Sequence, residues 1–204
     1  MNKINIIIIA ILLHSLSVFS QNFQDDVLAF EKSYKYEYEG NHSKAVSALK
    51  QSYKEDSYEY NVRIGWLDYL AGQYTESVSF YNKAIALKPM SIEAKFGLIY
   101  PLLALGKTDQ TIEIYHHILK ISPLDSKANY RLGLLLYQYK KYKEADAYLK
   151  NIINIYPFDY DIIILMAWNS YQMGKSTEAK LLFQKALINK PSDESALEGL
   201  RLVN

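Results

Sequence analysis

The residues best able to do chemistry are few in this chain and poorly placed for it. His116 and His117 are adjacent, so on a helix they point about 100° apart and cannot share a face as two metal ligands at i and i+4 would. There is no cysteine, which removes thiolate zinc sites, nucleophilic thiols and any disulfide framework. No glycine loop for phosphate, no HExxH pair and no nucleophile elbow is present. Asp25-Asp26 and Glu37/Glu39 flank a predicted helix as capping and solvating charge, and Lys140-Lys141-x-Lys143 is too short a basic run for nucleic acid or lipid. The net charge of +1 supplies no field that would gather a polyanion. These absences lead us to expect no catalytic residues, no metal, no cofactor and no nucleic-acid partner.

Half of the residues are hydrophobic and 19 are tyrosine, against 8 glycines and 5 prolines, a balance that favours helices with large aromatic faces. Those helices show a period. Pro89, Pro123, Pro157 and Pro191 each follow the last by 34 residues. Gly72, Gly106 and Gly174 keep the same interval, with Lys140 in the remaining place. A third column is small (Ser77, Thr111, Ala145, Ala179), and a fourth is apolar (Ile64, Leu98, Leu132, Met166), followed by Gly65, Ile99, Gly133 and Ala167. Between successive prolines lie two apolar-periodic stretches of helical length, split by the glycine column. Glycine after the first helix closes it, small residues let the second pack tightly, and proline ends the second. The unit is a helix-turn-helix.

The pattern resembles the tetratricopeptide repeat, whose period is 34 and whose motif is W-x2-L-G-x2-Y, A-x3-F and P. The resemblance rests on Leu132-Gly133, Ala145-x3-Leu149 and Pro157; on Met166-Ala167, Ala179-x3-Phe183 and Pro191; and on Ile64-Gly65, Ser77-x3-Tyr81 and Pro89. The family's leading tryptophan is replaced by Asn61, Lys95, Asn129 and Ile163. Gly40 and Ala45 precede Gly72 and Ser77 by 32 residues, marking a degenerate earlier unit in which Ser57 stands in the proline's place. The expected fold is all-α, a right-handed superhelical solenoid of about five helix pairs: a degenerate pair in 21–57, four units in 58–191 and a capping helix in 192–204 that starts at Ser192. Pro101, inside the first helix of the third unit, predicts a kink near Gly97–Pro101.

The resemblance implies a binding function for other proteins or peptides through a concave surface lined by the first helix of each pair. Carried onto this chain, the groove-facing rows are Val62, Phe96, Tyr130 and Ile164; Trp66, Tyr100, Leu134 and Trp168; and Tyr69, Leu103, Tyr137 and Tyr171. The groove expected to hold a partner segment is therefore built chiefly from Val62, Trp66, Tyr69, Phe96, Tyr100, Tyr130, Tyr137, Trp168 and Tyr171. The alternative is that the same rings fill the core between helices. The family's carboxylate clamp for chaperone tails is matched only by Lys127 and Arg131; its earlier positions are Val62, Trp66 and Gly97.

At the N-terminus, Lys3, the apolar run Ile4–Leu13 and Val18-Phe19-Ser20 follow the secretory pattern, predicting a signal peptide over 1–20 with a cut at Ser20/Gln21. Retained, residues 4–19 would instead anchor the chain to a membrane, although they fall short of the ~20 residues that span one. Richness in Ile, Asn, Lys and Tyr resembles an AT-rich bacterial genome. The expected setting is the periplasm or outer-membrane periphery of a Gram-negative bacterium, and the expected role is an envelope scaffold. The competing roles are a membrane-anchored accessory of envelope assembly or secretion, and a groove that takes a glycan or small ligand.

Overall fold

A computed structural model describes residues 23–203, and the predicted signal segment lies outside them. The described residues form helices joined by turns, with no strand among them. The helices are α1 (23–38), α2 (His42–Lys50), α3 (Tyr58–Leu70), α4 (Tyr74–Leu87), α5 (Ile92–Ala104), α6 (Thr108–Ile121), α7 (Ser126–Gln138), α8 (Tyr142–Ile153), α9 (Tyr160–Gln172), α10 (Ser176–Asn189) and α11 (Glu194–Leu202). None is long and apolar enough to cross a membrane. The chain divides into two compact units, one reaching Thr111 and the other starting at Ile112.

Both kinds of helix end are written into the 34-residue period. Ser57, Ser91, Asp125, Asp159 and Asp193 precede α3, α5, α7, α9 and α11, and each side chain accepts a hydrogen bond from the backbone N–H three residues on. Such caps contribute about 1 kcal/mol apiece. Two sequence readings change as a result. Ser57 does not hold the proline's place but caps α3, and α11 starts at Glu194 with Asp193 as its cap rather than at Ser192. At the other end, Gly72, Gly106 and Gly174 take φ of 76°, 68° and 73°, and Lys140 is driven into the same left-handed region at 60°. There the next N–H reaches back to close the helix, as Gln73 does to Asp68 O and Lys141 to Leu136 O.

The column that replaces the family's tryptophan does a different job. Asn61 Nδ2 donates to Glu55 O and Ser57 O, and Asn129 Nδ2 to Pro123 O and Asp125 O. The Lys95 ammonium donates to Pro89 O and Ser91 O. All three are buried, so a polar side chain ties each helix to the turn before it. Pro101 lies in the last turn of α5, which runs unbroken from Ile92 to Ala104. Placed there, its missing N–H forfeits a single bond near the helix end.

Packing within each unit follows the small residues. In the first, the buried Tyr81 ring of α4 lies between α3 and α5, against Gly65 and Gly97; a Cβ on Gly97 would come within 2.1 Å of Tyr81 Cε1. Ser77 Oγ donates to Gly65 O at 2.7 Å, so the same contact is also hydrogen-bonded. In the second, buried Phe183 of α10 occupies the corresponding place, and a Cβ on Gly199 would meet its Cζ at 2.2 Å.

Candidate functional site

In the first unit, α3 and α5 present Trp66, Tyr69 and Tyr100 to one another. The ring centroids are 5.7 Å (Trp66–Tyr69), 6.1 Å (Trp66–Tyr100) and 5.5 Å (Tyr69–Tyr100) apart, with Tyr74 of α4 adjoining Tyr69 at 5.9 Å. These are the separations at which aromatic rings attract. Tyr100 is 39 % exposed, and Trp66 and Tyr69 are half-buried, as are Val62 and Phe96. The rings are neither lost in the core nor free of it, since Trp66 also packs on the cluster of Ala45, Leu49, Ile64 and Leu67.

The polar edge of Trp66 is already used. Its indole N–H donates to Glu37 Oε1 at 2.7 Å, and Arg63 Nη1 meets Glu37 Oε2 at 2.6 Å. Burial pushes the Glu37 carboxyl up, but the hydrogen bonds from Trp66 and Arg63 and the Arg63 charge outweigh it and hold the group below its ordinary value. Arg63 in turn donates to Ser33 Oγ and lies 3.9 Å over the Tyr34 ring. The Trp66 indole N–H is therefore already bonded within the fold, so Trp66 presents its ring face, while Tyr69 and Tyr100 bring both ring faces and hydroxyls.

Beside that bridge lies an open hollow of about 610 Å³ formed by α1 and the start of α3. It is lined by Phe23, Val27, Phe30, Tyr34 and Tyr60, with Asp26, Glu31, Ser57 and Glu59 at its margins. The rows do not reach the apolar residues of this hollow. Asp26 and Glu37, expected as capping and solvating charge, instead bond within the fold, Asp26 to Lys54 and Tyr60 and Glu37 to Trp66 and Arg63. The 32-residue offset of the degenerate unit carried the signal, because it puts Phe30 before Val62 and Tyr34 before Trp66.

The second unit holds the other half of the expected rows. Trp168 packs edge-on against Phe183 at 5.0 Å and Tyr171 at 5.8 Å, and its indole N–H donates to Ser195 Oγ at 2.8 Å. With Ile164 and Tyr171 it covers the core of Ile163, Ala167, Ala179 and Phe183. Tyr130, Leu134 and Tyr137 cover a different set, Leu149, Leu165 and Met166, and Tyr137 adjoins Tyr142 at 5.6 Å. Trp168, Tyr171, Tyr130, Tyr137 and Tyr142 are half-buried, whereas Phe183 is buried. Tyr130 also borders a small recess of about 190 Å³ with Lys127, Tyr156, Asp159 and Asp161. The two histidines go to separate partners: His116 stacks on Tyr148, and His117 lies 4.0 Å from Glu113.

Residues 58–89 and 102–168 match family models described as the tetratricopeptide repeat. No curated protein matches the chain. Among solved structures, the fold is similar to that of a tetratricopeptide repeat protein from Parabacteroides merdae, at a TM-score of 0.76 and 21 % identity, covering 88 % of this chain and 72 % of that one. It is also similar to a MamA protein (TM-score 0.72, 19 % identity, 82 % of this chain and 93 % of that one). MamA from Desulfovibrio magneticus RS-1 has a TM-score of 0.70 at 17 % identity, covering 83 % of this chain and 97 % of that one. Identities this low speak for the fold alone, an all-α helical-repeat solenoid. The repeats, the caps that share their period and the family matches agree: the chain belongs to the tetratricopeptide-repeat family, whose repeats bind other proteins or peptides.

Proposed function

We propose that this chain is a non-catalytic interaction scaffold of the bacterial cell envelope that holds a segment of a partner protein against its aromatic helix faces. The observation that carries the reading is the Trp66–Tyr69–Tyr100 cluster. Three rings in mutual contact stay partly open to solvent while the Trp66 indole N–H is satisfied from within. Tryptophan and tyrosine held in this way supply large contact area at small cost in conformational entropy. Trp168 repeats the arrangement in the second unit, with its N–H bonded to Ser195. An apolar or amphipathic segment, held by the ring faces with the tyrosine hydroxyls at their edges, suits both surfaces.

The envelope setting rests on the charged start, apolar run and small-residue junction of residues 1–20. Sequencing the N-terminus of the protein isolated from its own cells tests it. A start at Gln21 supports export and release, whereas an intact Met1 in the membrane fraction moves the scaffold to a membrane anchor. The groove is tested by crosslinking and pull-down of the wild type beside the Trp66→Ala/Trp168→Ala variant. Loss of specific partners from the variant is expected, and identical partner sets would remove the aromatic faces from the function.

A further inference from the structure

The turns that join one repeat to the next carry an apolar residue where a turn ordinarily carries a polar one. Two of them, in the second unit, are closed by the same bond: Asp125 N–H donates to Ser122 O, and Asp159 N–H to Tyr156 O. Proline takes the second place of each turn, which suits its fixed φ, and the third place falls to Leu124 and Phe158. These side chains are 59 % and 58 % exposed. In the first unit the same place, after Pro89, belongs to Met90, which is also exposed. In the second unit the two tips belong to one edge. Ser126 and Lys127 at the start of α7 share a recess with Tyr156 and Asp159 of the next turn. Asn189 Nδ2 donates to Phe158 O at 2.6 Å, which brings the end of α10, with exposed Ile188, to the same edge. Ile155 and Tyr156 are exposed as well.

The charge of this edge is sorted. Asp125, Asp159 and Asp193 are turned onto the helices that follow, where each accepts a backbone N–H and faces the positive end of the helix. Asp161 and Glu194 lie in the first turns of α9 and α11, where the same partial charge offsets them. Lys120 at the end of α6, Lys127 and Lys190 are exposed, the Lys190 ammonium lying over the Tyr160 ring. The edge therefore offers apolar corners beside lysines, while its carboxylates are offset from within.

We infer that the turn edge of the second unit is a docking surface for an anionic phospholipid bilayer. Leu124, Phe158 and Ile188 enter the boundary of the acyl chains, Tyr156 sits at the level of the headgroups, and the lysines meet lipid phosphates. The shape of the edge selects lipid over a folded protein. Its apolar side chains project from separate corners, and a bilayer closes around such points, whereas a protein would need a matching hollow for each. A second copy of this chain is the wrong occupant, because edge against edge would set these lysines against their like. The site lies apart from the aromatic rows and does not depend on the function proposed for them.

Because the chain has no cysteine, one introduced cysteine can carry an environment-sensitive dye at a chosen place. Phe158→Cys and Leu124→Cys put it on the two tips, and Leu181→Cys puts it on α10, where the side chain is also exposed. Each labelled protein, isolated from its own cells with the start it bears there, is mixed with vesicles of phosphatidylethanolamine and phosphatidylglycerol. The dyes on the two tips should shift to the blue and brighten, and a quencher held within the bilayer should dim them. The dye at Leu181 should do neither. That contrast does not arise from attachment through residues 4–19 alone, which would leave the turn edge in water. Lys120→Glu/Lys190→Glu, read through the dye at Leu124, should raise the lipid needed for half the change about tenfold or more, since one lysine near an anionic surface contributes roughly fivefold. Phosphatidylcholine vesicles and high salt should weaken the response of the unreversed protein in the same direction, so the charge reading is tested even where the double variant fails to fold. Silent dyes at both tips, an equal response at Leu181, or indifference to lipid charge would each overturn the assignment. So would a blue shift at the tips produced without vesicles, by raising the protein concentration or by adding a protein extract.

Discussion

Replacing Asp68 with leucine should stabilise the first unit, and by an amount that depends on pH. Asp68 sits in α3 at 5 % exposure, and its Oδ2 is buried without a hydrogen-bond partner. Burial is the main reason its carboxyl is pushed up from 3.8 to about 6, with Glu76 adding to the rise and Lys50 opposing it. An unfolded chain would hold that proton only below about 3.9. Between those two values the folded state binds more protons than the unfolded one. Stability is therefore lost as pH rises from about 4 to about 6, and above that the full cost remains. A difference of about two pKa units corresponds to ~3 kcal/mol.

The repeat itself supplies the replacement, for Leu102 and Leu136 occupy the equivalent places in α5 and α7, and both are buried. Urea unfolding of wild type and Asp68→Leu, followed by circular dichroism, measures the difference in stability at two pH values. At pH 7.5 the variant should be the more stable by ~3 kcal/mol, and more if the leucine packs well. At pH 4 the advantage should shrink by most of that amount, because the wild-type carboxyl is then neutral in the folded state. Groups common to both proteins cancel in the comparison. An advantage of the same size at both pH values would refute the reasoning, since it would show that the leucine acts through packing and that Asp68 does not titrate in this window.

Two further expectations follow from the backbone. Gly97→Ala places a methyl 2.1 Å from Tyr81 Cε1, where the ring is also held by Gly65 on its other side. Thermal unfolding should show a loss of about 1–3 kcal/mol. Tyr81→Leu in that background should recover part of it, because Leu149 fills the same column in the second unit, and a double-mutant cycle reads the coupling. Lys140→Gly should raise stability by about 1 kcal/mol, since Lys140 alone among the five described turns of its type holds a left-handed φ with a Cβ attached. A destabilised Lys140→Gly would show that its side chain makes contacts worth more than the strain.

The architecture was legible because it repeats. A proline or a left-handed glycine says little alone, but at intervals of 34 residues each reports a helix end that the chain must make again. The cap column was harder to see, since serine and aspartate share the work in Ser57, Ser91, Asp125, Asp159 and Asp193, and a mixed column is not apparent by identity. The aromatic rows could be drawn from the period, and the structure leaves Trp66, Tyr69, Tyr130, Tyr137, Trp168 and Tyr171 half-buried and Tyr100 exposed. Their polar partners could not be drawn in the same way. Glu37 comes from the degenerate unit and Ser195 from the terminal helix, the two places where the period no longer applies. The hollow beside α1 was harder to see because its unit is two residues short, although the 32-residue offset that places Phe30 before Val62 and Tyr34 before Trp66 stands in the sequence.

The central claim is that a partner protein lies on the aromatic helix faces. A photocrosslinking amino acid at Tyr100, 39 % exposed within the first cluster, and another at Leu181, 62 % exposed on α10, put the question to the protein in its own cells. Irradiation should give one discrete heavier species from Tyr100 and none from Leu181, and Trp66→Ala should abolish it. Crosslinks from Leu181 alone, or a Tyr100 adduct unchanged by Trp66→Ala, would contradict the account.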